Sequence, residues 1–451
     1  MTRTLGLPVP PGFTITTQAC RRYLESGWPA ELDRSLEEAL AGLEAAAGRR
    51  LGDPSAPLLL SVRSGAPVSM PGMMDTVLDV GLDAGVVEGL AAVSGDRAFA
   101  LDCDRRLRVM YRDVVGAELP AGPREQLRAS IEAVFRSWDG ERARAYRRAE
   151  GIDDALGTAV VVQAMVFVNL GAEGATGVCF SRDPATGERR LYGDVLFGAQ
   201  GEDVVDGTHD TAPLAELDRR LPEAGAELRR LAELLERHFA DLVDIEFTVE
   251  RGRLWLLQVR VGKRSPAAAV RIAHDMALDA EFPLGRVEAV ARVRHLLDQP
   301  PRSLRAEAGA TPVAQGLGAS PGLVAGVVVV TAEAAVEHGV EGVDAILVRP
   351  ETSPADVAGM AEAVGLLTAR GGLASHAAVV ARGWGKPAVV GTEALVVGED
   401  HVRFGDRRVE AGEEITIDGA TGAVYLGRVQ DTGTALPEVS ALLAWAAERA
   451  T

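Results

Sequence analysis

The sequence predicts a multidomain chain of the α/β and α+β classes. Three observations lead there. At 451 residues the chain is too long for one compact core. Apolar residues make up 47% of it, enough for several cores and unlike a disordered chain. Short strand-like runs alternate with helical periodicity along most of the length.

The elements follow in order. Residues 7–12 (LPVPPG) punctuate a loop before a short strand, Phe13 to Thr16. Helical patterns run from about Thr17 to Gly27 and from Pro29 to Ala47. Ala56 to Arg63 (APLLLSVR) reads as a buried strand, ending in a loop rich in Gly, Pro, Ser and Met, from Ser64 to Met74. Helices dominate from Asp83 to Arg148. Strands are expected at Ala159–Val168, Gly177–Arg182 and Arg190–Phe197, then one long helix at about Leu214–Leu242 and a hairpin at Asp244–Arg260. The pattern is helical again from Lys263 to Arg305, and residues 308–318 (AGATPVAQGLG) form a linker. A second domain runs from about Gly316 to Gly427, with strands at Val324–Thr331, Ala345–Val348, Gly365–Thr368, Ala388–Val390 and Glu414–Ile417. One helix, Pro437–Ala450, follows.

Composition narrows the function. With 47 Lys+Arg against 65 Asp+Glu, the formal charge is -18, which argues against nucleic acid or an anionic membrane as partner. No apolar run reaches membrane-spanning length, and Cys20, Cys103 and Cys179 lack metal-ligand or redox spacing. A cytoplasmic location with reduced thiols is expected. Only Lys263 and Lys386 among the basic residues are lysines, so chemistry that needs an amine has two candidates.

The first chemical motif is Gly371-Gly372-Leu373-Ala374-Ser375-His376, followed by AAVVARGWGKP. A strand ends in a glycine pair and a helix opens at Ser375 or His376, with Ser375 placed to cap it. First-turn amides and the helix dipole favour an anion there and keep an imidazole neutral, hence nucleophilic. A lone histidine among seven would more often just pack a helix start. This stretch, however, resembles the phosphohistidine signature of the phosphoenolpyruvate-utilising enzymes, a family that includes pyruvate phosphate dikinase, phosphoenolpyruvate synthase and enzyme I of the sugar phosphotransferase system. The likeness extends through Ala381-Arg382-Gly383 and Gly385-Lys386-Pro387. Ala374 stands where the family usually has threonine, the regulatory target in the dikinase.

Two further stretches carry the resemblance to the dikinase branch. In residues 61–76 (SVRSGAPVSMPGMMDT) a buried strand delivers Arg63 into a loop, where its guanidinium can hold a phosphate with two bonds. In DIEFTVERGRLWLLQVR, a three-residue loop ending in a left-handed Gly252 would put Ile245, Phe247, Val249, Trp255, Leu257 and Val259 on the core side. Asp244, Glu246, Gln258 and Arg260 would then share the opposite face. Oxygen donors on neighbouring strands suit Mg²⁺ carrying a polyphosphate, and Arg260 suits transferred charge. Ordinary amphipathic hairpins share this pattern, but the segment resembles the metal-binding end of the dikinase's ATP-grasp domain. Residues 199–205 (AQGEDVV) also match, with Glu202 and Asp203 as contacts in the nucleotide cleft, and Gln163 and Met165 match a strand lining it.

The resemblance implies an ATP-grasp-type nucleotide-binding domain over 1–262, a helical linker over 263–315, a swivelling β/β/α phosphohistidine domain over 316–428 and a linker helix over 429–451. It implies catalysis by His376, a nucleotide site of Arg63, Glu202, Asp203, Asp244, Glu246, Gln258 and Arg260, and Mg²⁺ on Glu246 and Gln258. ATP would phosphorylate His376 in a phosphate-dependent reaction that releases AMP and diphosphate. Against the family, the chain is short in three places: a Gly-rich lysine segment before Leu5, a helical insertion between residues 113 and 135, and the pyruvate/phosphoenolpyruvate barrel after Trp445. The expectation is therefore a truncated dikinase-like phosphotransferase whose acceptor site lies on a separate protein, with a homodimer left open. An ATP-independent phosphocarrier and a non-catalytic regulatory remnant are the alternatives.

Overall fold

The computed structural model describes the chain apart from residues 1, 69, 71–72, 169–172, 199–210, 304–305, 308, 374 and 449–451. It divides into two compact units, Met1–Gly174 and Ala175–Thr451.

The first unit is built on an antiparallel four-stranded sheet of β1 (Gly12–Ile15), β2 (Leu60–Gly65), β3 (Thr76–Val80) and β4 (Ala159–Ala164), in the order β1-β4-β2-β3. Leu58, Leu59, Leu60 and Val62 are all buried, which is why this stretch reads as a continuous apolar run rather than an alternating one. Among the described residues, six helices of ten or more residues, from Thr17–Ser26 to Glu141–Glu150, belong to this unit. Asp83 and Asp96 cap two of them by accepting the amides of Val86 and Phe99.

The second unit begins with a five-stranded antiparallel sheet of β5 (Ala175–Phe180), β6 (Tyr192–Phe197), β7 (Ala212–Pro213), β8 (Val243–Glu250) and β9 (Arg253–Val261), in the order β7-β6-β5-β8-β9. The single long helix expected at 214–242 is instead two, Ala215–Arg220 and Pro222–Phe239. Pro222 explains the break: it lacks an amide to continue the ladder and forces Leu221 out of helical geometry, to φ -134° and ψ 68°. The helices Pro266–Leu278, Arg286–Leu297 and Pro437–Ala447 pack together beside this sheet.

Residues 314–426 supply a mixed eight-stranded sheet. Its centre is parallel: Leu323–Val329, Ala345–Arg349, Gly365–Thr368 and Ala388–Val390 lie side by side. The helices Ala332–Glu341, Val357–Glu362 and His376–Trp384 connect them in turn. All five strands expected here are observed: two coincide with their predicted bounds, two run one residue longer, and Val324–Thr331 is found as Leu323–Val329. His376 therefore opens the crossover helix at the carboxyl end of the third parallel strand. Crevices beyond strand carboxyl ends are the usual ligand positions in such sheets.

Candidate functional site

In the first unit, Arg63 sits on β2 with a firm local partner. Its Nη2 donates to Gln163 Oε1 at 2.6 Å, and the Gln163 amide donates in turn to the Pro10 carbonyl at 3.1 Å. Gln163 is thus an anchor for the guanidinium, and Met165 is buried in the core.

The remaining described residues of the expected site lie in the second unit. The β8–β9 turn has only two residues, Arg251 and Gly252, both left-handed at φ 50° and 78°. The three-residue loop is therefore not formed. Faces are reset instead by a β-bulge: Phe247 opposes Leu256 while Glu246 opposes Gln258, leaving Leu257 as the extra residue. Ile245, Phe247, Val249, Leu254 and Leu256 turn to the core. Trp255, expected there, lies opposite Thr248 on the polar face, with the Arg253 guanidinium 4.0 Å from its ring centre. Its indole N–H is buried without a hydrogen-bond partner among the described residues.

The bulge preserves the expected polar set. Asp244 opposes Arg260 and Glu246 opposes Gln258. Arg260 Nε donates to Asp244 Oδ2 at 2.6 Å, and its Nη2 lies 3.5 Å from Glu246 Oε1. Burial raises the pKa of Asp244, as does neighbouring Glu246, while Arg260 opposes both. Burial disfavours the Arg260 charge, but Asp244 and Glu246 outweigh it and raise its pKa. Asp244 Oδ1 remains buried without a hydrogen-bond partner among the described residues. Glu202 and Asp203 lie outside the described residues.

The sheet register adds two rows of neighbours. Asp194, Val178, Glu246 and Gln258 are paired across four adjacent strands, and Tyr192, Phe180, Asp244 and Arg260 form the next such row. Paired residues face the same side, and strands are spaced about 4.8 Å apart. The histidine loop rests on that side. A methyl group added at Gly372 would stand 2.3 Å from an Asp194 carboxylate oxygen and 2.6 Å from Thr211 Oγ1. Leu373 packs against the cluster containing Val178, Phe180 and Tyr192. Arg382, wholly buried, lies 5.2 Å from the Phe180 ring centre and donates to the Leu373 and Ala319 carbonyls, each at 2.9 Å.

His376 begins its helix as expected, but Ser375, at the N-cap, makes no capping bond; its Oγ is buried without a hydrogen-bond partner among the described residues. Gly371 takes φ 103°, a conformation closed to residues with a side chain. Burial lowers the His376 pKa, opposed by the Asp356 carboxylate. The ring is therefore largely neutral near pH 7, and its Nε2 is buried without a hydrogen-bond partner among the described residues. Asp356 is held by Arg349 at 3.2 Å and by a capping box with Ser353. A cavity of about 770 Å³ opens beside the loop, lined in part by Thr211, Arg370, Gly371, Gly372 and Glu393.

Sequence reasoning missed Asp194 and Asp356. Asp356 carried a signal, since Ser353-x-x-Asp356 is a capping pattern. Asp194 carried none, because only strand pairing places it in the row with Glu246.

Comparison with known proteins decides the family. Residues 24–220 and 218–281 match the family described as "Pyruvate phosphate dikinase, AMP/ATP-binding domain". The chain belongs to the pyruvate phosphate dikinase family. Residues 342–422, which include His376, match "PEP-utilising enzyme, mobile domain". Among this chain's relatives, pyruvate, phosphate dikinase 1, chloroplastic, of Arabidopsis thaliana is 44% identical over 98% of this chain and 51% of its own length. Pyruvate, phosphate dikinase 2 of Oryza sativa subsp. japonica is 43% identical over 98% of this chain and 56% of its own. The Rhizobium meliloti (strain 1021) pyruvate, phosphate dikinase is 43% identical over 94% of this chain and 54% of its own. The chain spans about half the length of these dikinase relatives. Among the described residues no helix is long and apolar enough to cross a membrane.

Proposed function

We propose that this dikinase-family chain performs the nucleotide half of a dikinase reaction. His376 attacks the β-phosphorus of ATP, and AMP leaves with the electrons of the broken bond. The terminal phosphoryl passes to inorganic phosphate, giving diphosphate and leaving one phosphoryl group on His376. The observation that carries this reading is the position of the histidine loop. Gly372 meets Asp194 on the sheet face that also presents Glu246 and Gln258.

Each residue has a task suited to its surroundings. Neutral His376 is the nucleophile, and the free amides of its first helical turn receive the transferred phosphoryl group. Arg260 faces the incoming phosphates while Asp244 fixes its plane. Arg63, braced by Gln163, is a second phosphate ligand in the first unit. Glu202 and Asp203 complete the nucleotide contacts on the strength of the family resemblance.

Glu246 and Gln258 fit Mg²⁺. They are paired oxygen donors on adjacent strands, and Mg²⁺ on nucleotides takes one or two carboxylates plus phosphates and water. Among the described residues no group of three acidic, histidine or cysteine side chains could hold a metal, so the substrate would supply part of the shell. Bound there, the ion supplies charge neutralisation on the polyphosphate.

We read residues 1–262 as an ATP-grasp-like nucleotide domain, 263–315 as a helical linker, 316–428 as the swivelling histidine domain and 429–451 as a linker helix. The phosphoryl group then goes to a pyruvate/phosphoenolpyruvate acceptor site on another protein. A quench experiment tests the half-reaction: with ATP, Mg²⁺ and phosphate, the chain should release about one AMP per molecule in a burst. Release of ADP instead, or no burst, contradicts it.

A further inference from the structure

Arg382 belongs to the helix His376–Trp384, about 9 Å of helix axis beyond His376. It is a cation with no exposed surface, and among the described residues it forms no ion pair. Burying a charge without a close counter-charge is costly, so its surroundings must offset the lost water.

Two sets of contacts do this. On the histidine side, the planar guanidinium spans two main-chain carbonyls. Nη2 donates to Leu373 and Nη1 to Ala319 of the strand Leu317–Ser320, each at 2.9 Å. On the sheet side, its centre lies 5.2 Å from the ring of Phe180 on β5, a distance suited to cation–π attraction. Burial lowers the Arg382 pKa, and Tyr192, Asp244, Asp183 and Asp194 act against it. Asp244 and Asp183 are shared with arginines of their own, Arg260 and Arg190. Asp194 is the carboxylate that Gly372 meets. Leu373 is thereby held from two directions: Arg382 fixes its carbonyl, and its side chain packs on the cluster of Val178, Phe180 and Tyr192. The backbone held in this way leads directly into Ser375 and His376.

We propose that Arg382 is a positioning residue for phosphorylation of His376. Its fork fixes the Leu373 carbonyl, and its charge seats the histidine loop against the sheet face that carries Asp194 and Asp244. Arg382 acts through the loop and not on the reacting atoms. The inference rests on the proposed nucleotide half-reaction and adds to it the residue that joins the histidine helix to the sheet. Charge and fork are separable: lysine keeps the charge without the planar pair of donors, and methionine keeps neither. Exchanging a buried charge for an apolar side chain is often neutral for stability, so the methionine variant is expected to fold.

Single-turnover phosphorylation with β-labelled ATP, Mg²⁺ and phosphate tests this, read as the maximal rate and the ATP concentration that gives half of it. Arg382→Met should lower the maximal rate about a hundredfold and Arg382→Lys about tenfold. Half-saturating ATP should stay within about twofold of the unaltered chain in both, because no nucleotide contact is removed. Arg382→Lys carries the test alone if the methionine variant does not fold. Equal maximal rates in the unaltered and variant chains, or a rise in half-saturating ATP at an unchanged maximal rate, overturn the positioning role and leave the half-reaction standing. An unaltered chain that takes up no label overturns the half-reaction itself, and this inference with it.

Discussion

Asp194 and Glu246 flank Val178 in one row of paired residues across the five-stranded sheet, and Gly372 of the histidine loop rests against Asp194. Asp194 and Glu246 are thus two strand spacings apart, roughly 10 Å. The loop that carries His376, the proposed nucleophile, and the proposed metal ligands Glu246 and Gln258 share one face of one sheet.

Gly372→Ala probes that fit. The added methyl group would meet the Asp194 carboxylate and the Thr211 hydroxyl, which are side-chain ends that can move. The variant should fold with an unchanged melting temperature. Its His376 phosphorylation should slow by roughly ten- to a hundredfold, since small misplacements of reacting groups are costly. An unchanged rate would show that the seating of the loop is irrelevant to transfer.

The depressed pKa of His376 gives a signed pH prediction. Its neutral form persists as pH falls below the ordinary imidazole value of 6.5. Phosphorylation should therefore hold its rate down to a pH below 6.5 and decline only as the ring protonates. Asp356 favours the protonated ring, so Asp356→Asn should move the acid limb to still lower pH. Initial rates between pH 5 and 8 decide the matter; a limb moving upward in the variant refutes the assignment.

Asp244→Asn should be costly to the fold. It removes the charge facing Arg260 and leaves that guanidinium with Glu246 alone at 3.5 Å. Breaking a buried pair by removing one partner costs roughly 3 kcal/mol. Urea unfolding of the two proteins measures this, and a loss below about 0.5 kcal/mol would show that the pair is not a structural element of the hairpin.

Trp255 gives an optical readout that its position on the polar face makes possible. Nucleotide binding beside Glu246 should alter Trp255 fluorescence, and Trp255→Phe should abolish most of the change. An equal change in the variant would place the nucleotide away from this face.

Much of this arrangement was legible in the sequence because local patterns dictated it. The run from Gly365 through Lys386 gave a strand, a glycine turn and a helix opening at His376, all observed. Alternation in the hairpin gave the polar set of Asp244, Glu246, Gln258 and Arg260. It did not give Trp255 its face, because two ladders put Asp244, Glu246, Gln258 and Arg260 on one side: a longer loop, or a tight turn with a bulge. Choosing between them depends on whether Trp255 or Leu256 fills the core, and Leu256 does. The place of Asp194 was invisible because its row joins segments far apart in the chain. The absent Ser375 bond is likewise a matter of side-chain burial, which no capping pattern encodes.

Transfer of the β-phosphoryl group of ATP to His376 is the central claim, and radiolabel at that position tests it most directly. After incubation with β-labelled ATP, Mg²⁺ and phosphate, the protein should carry label that survives base and is lost in acid. The label should map to the peptide containing His376 and be missing from a folded His376→Asn variant. Equal label on that variant, or transfer from the γ position alone, would contradict the account.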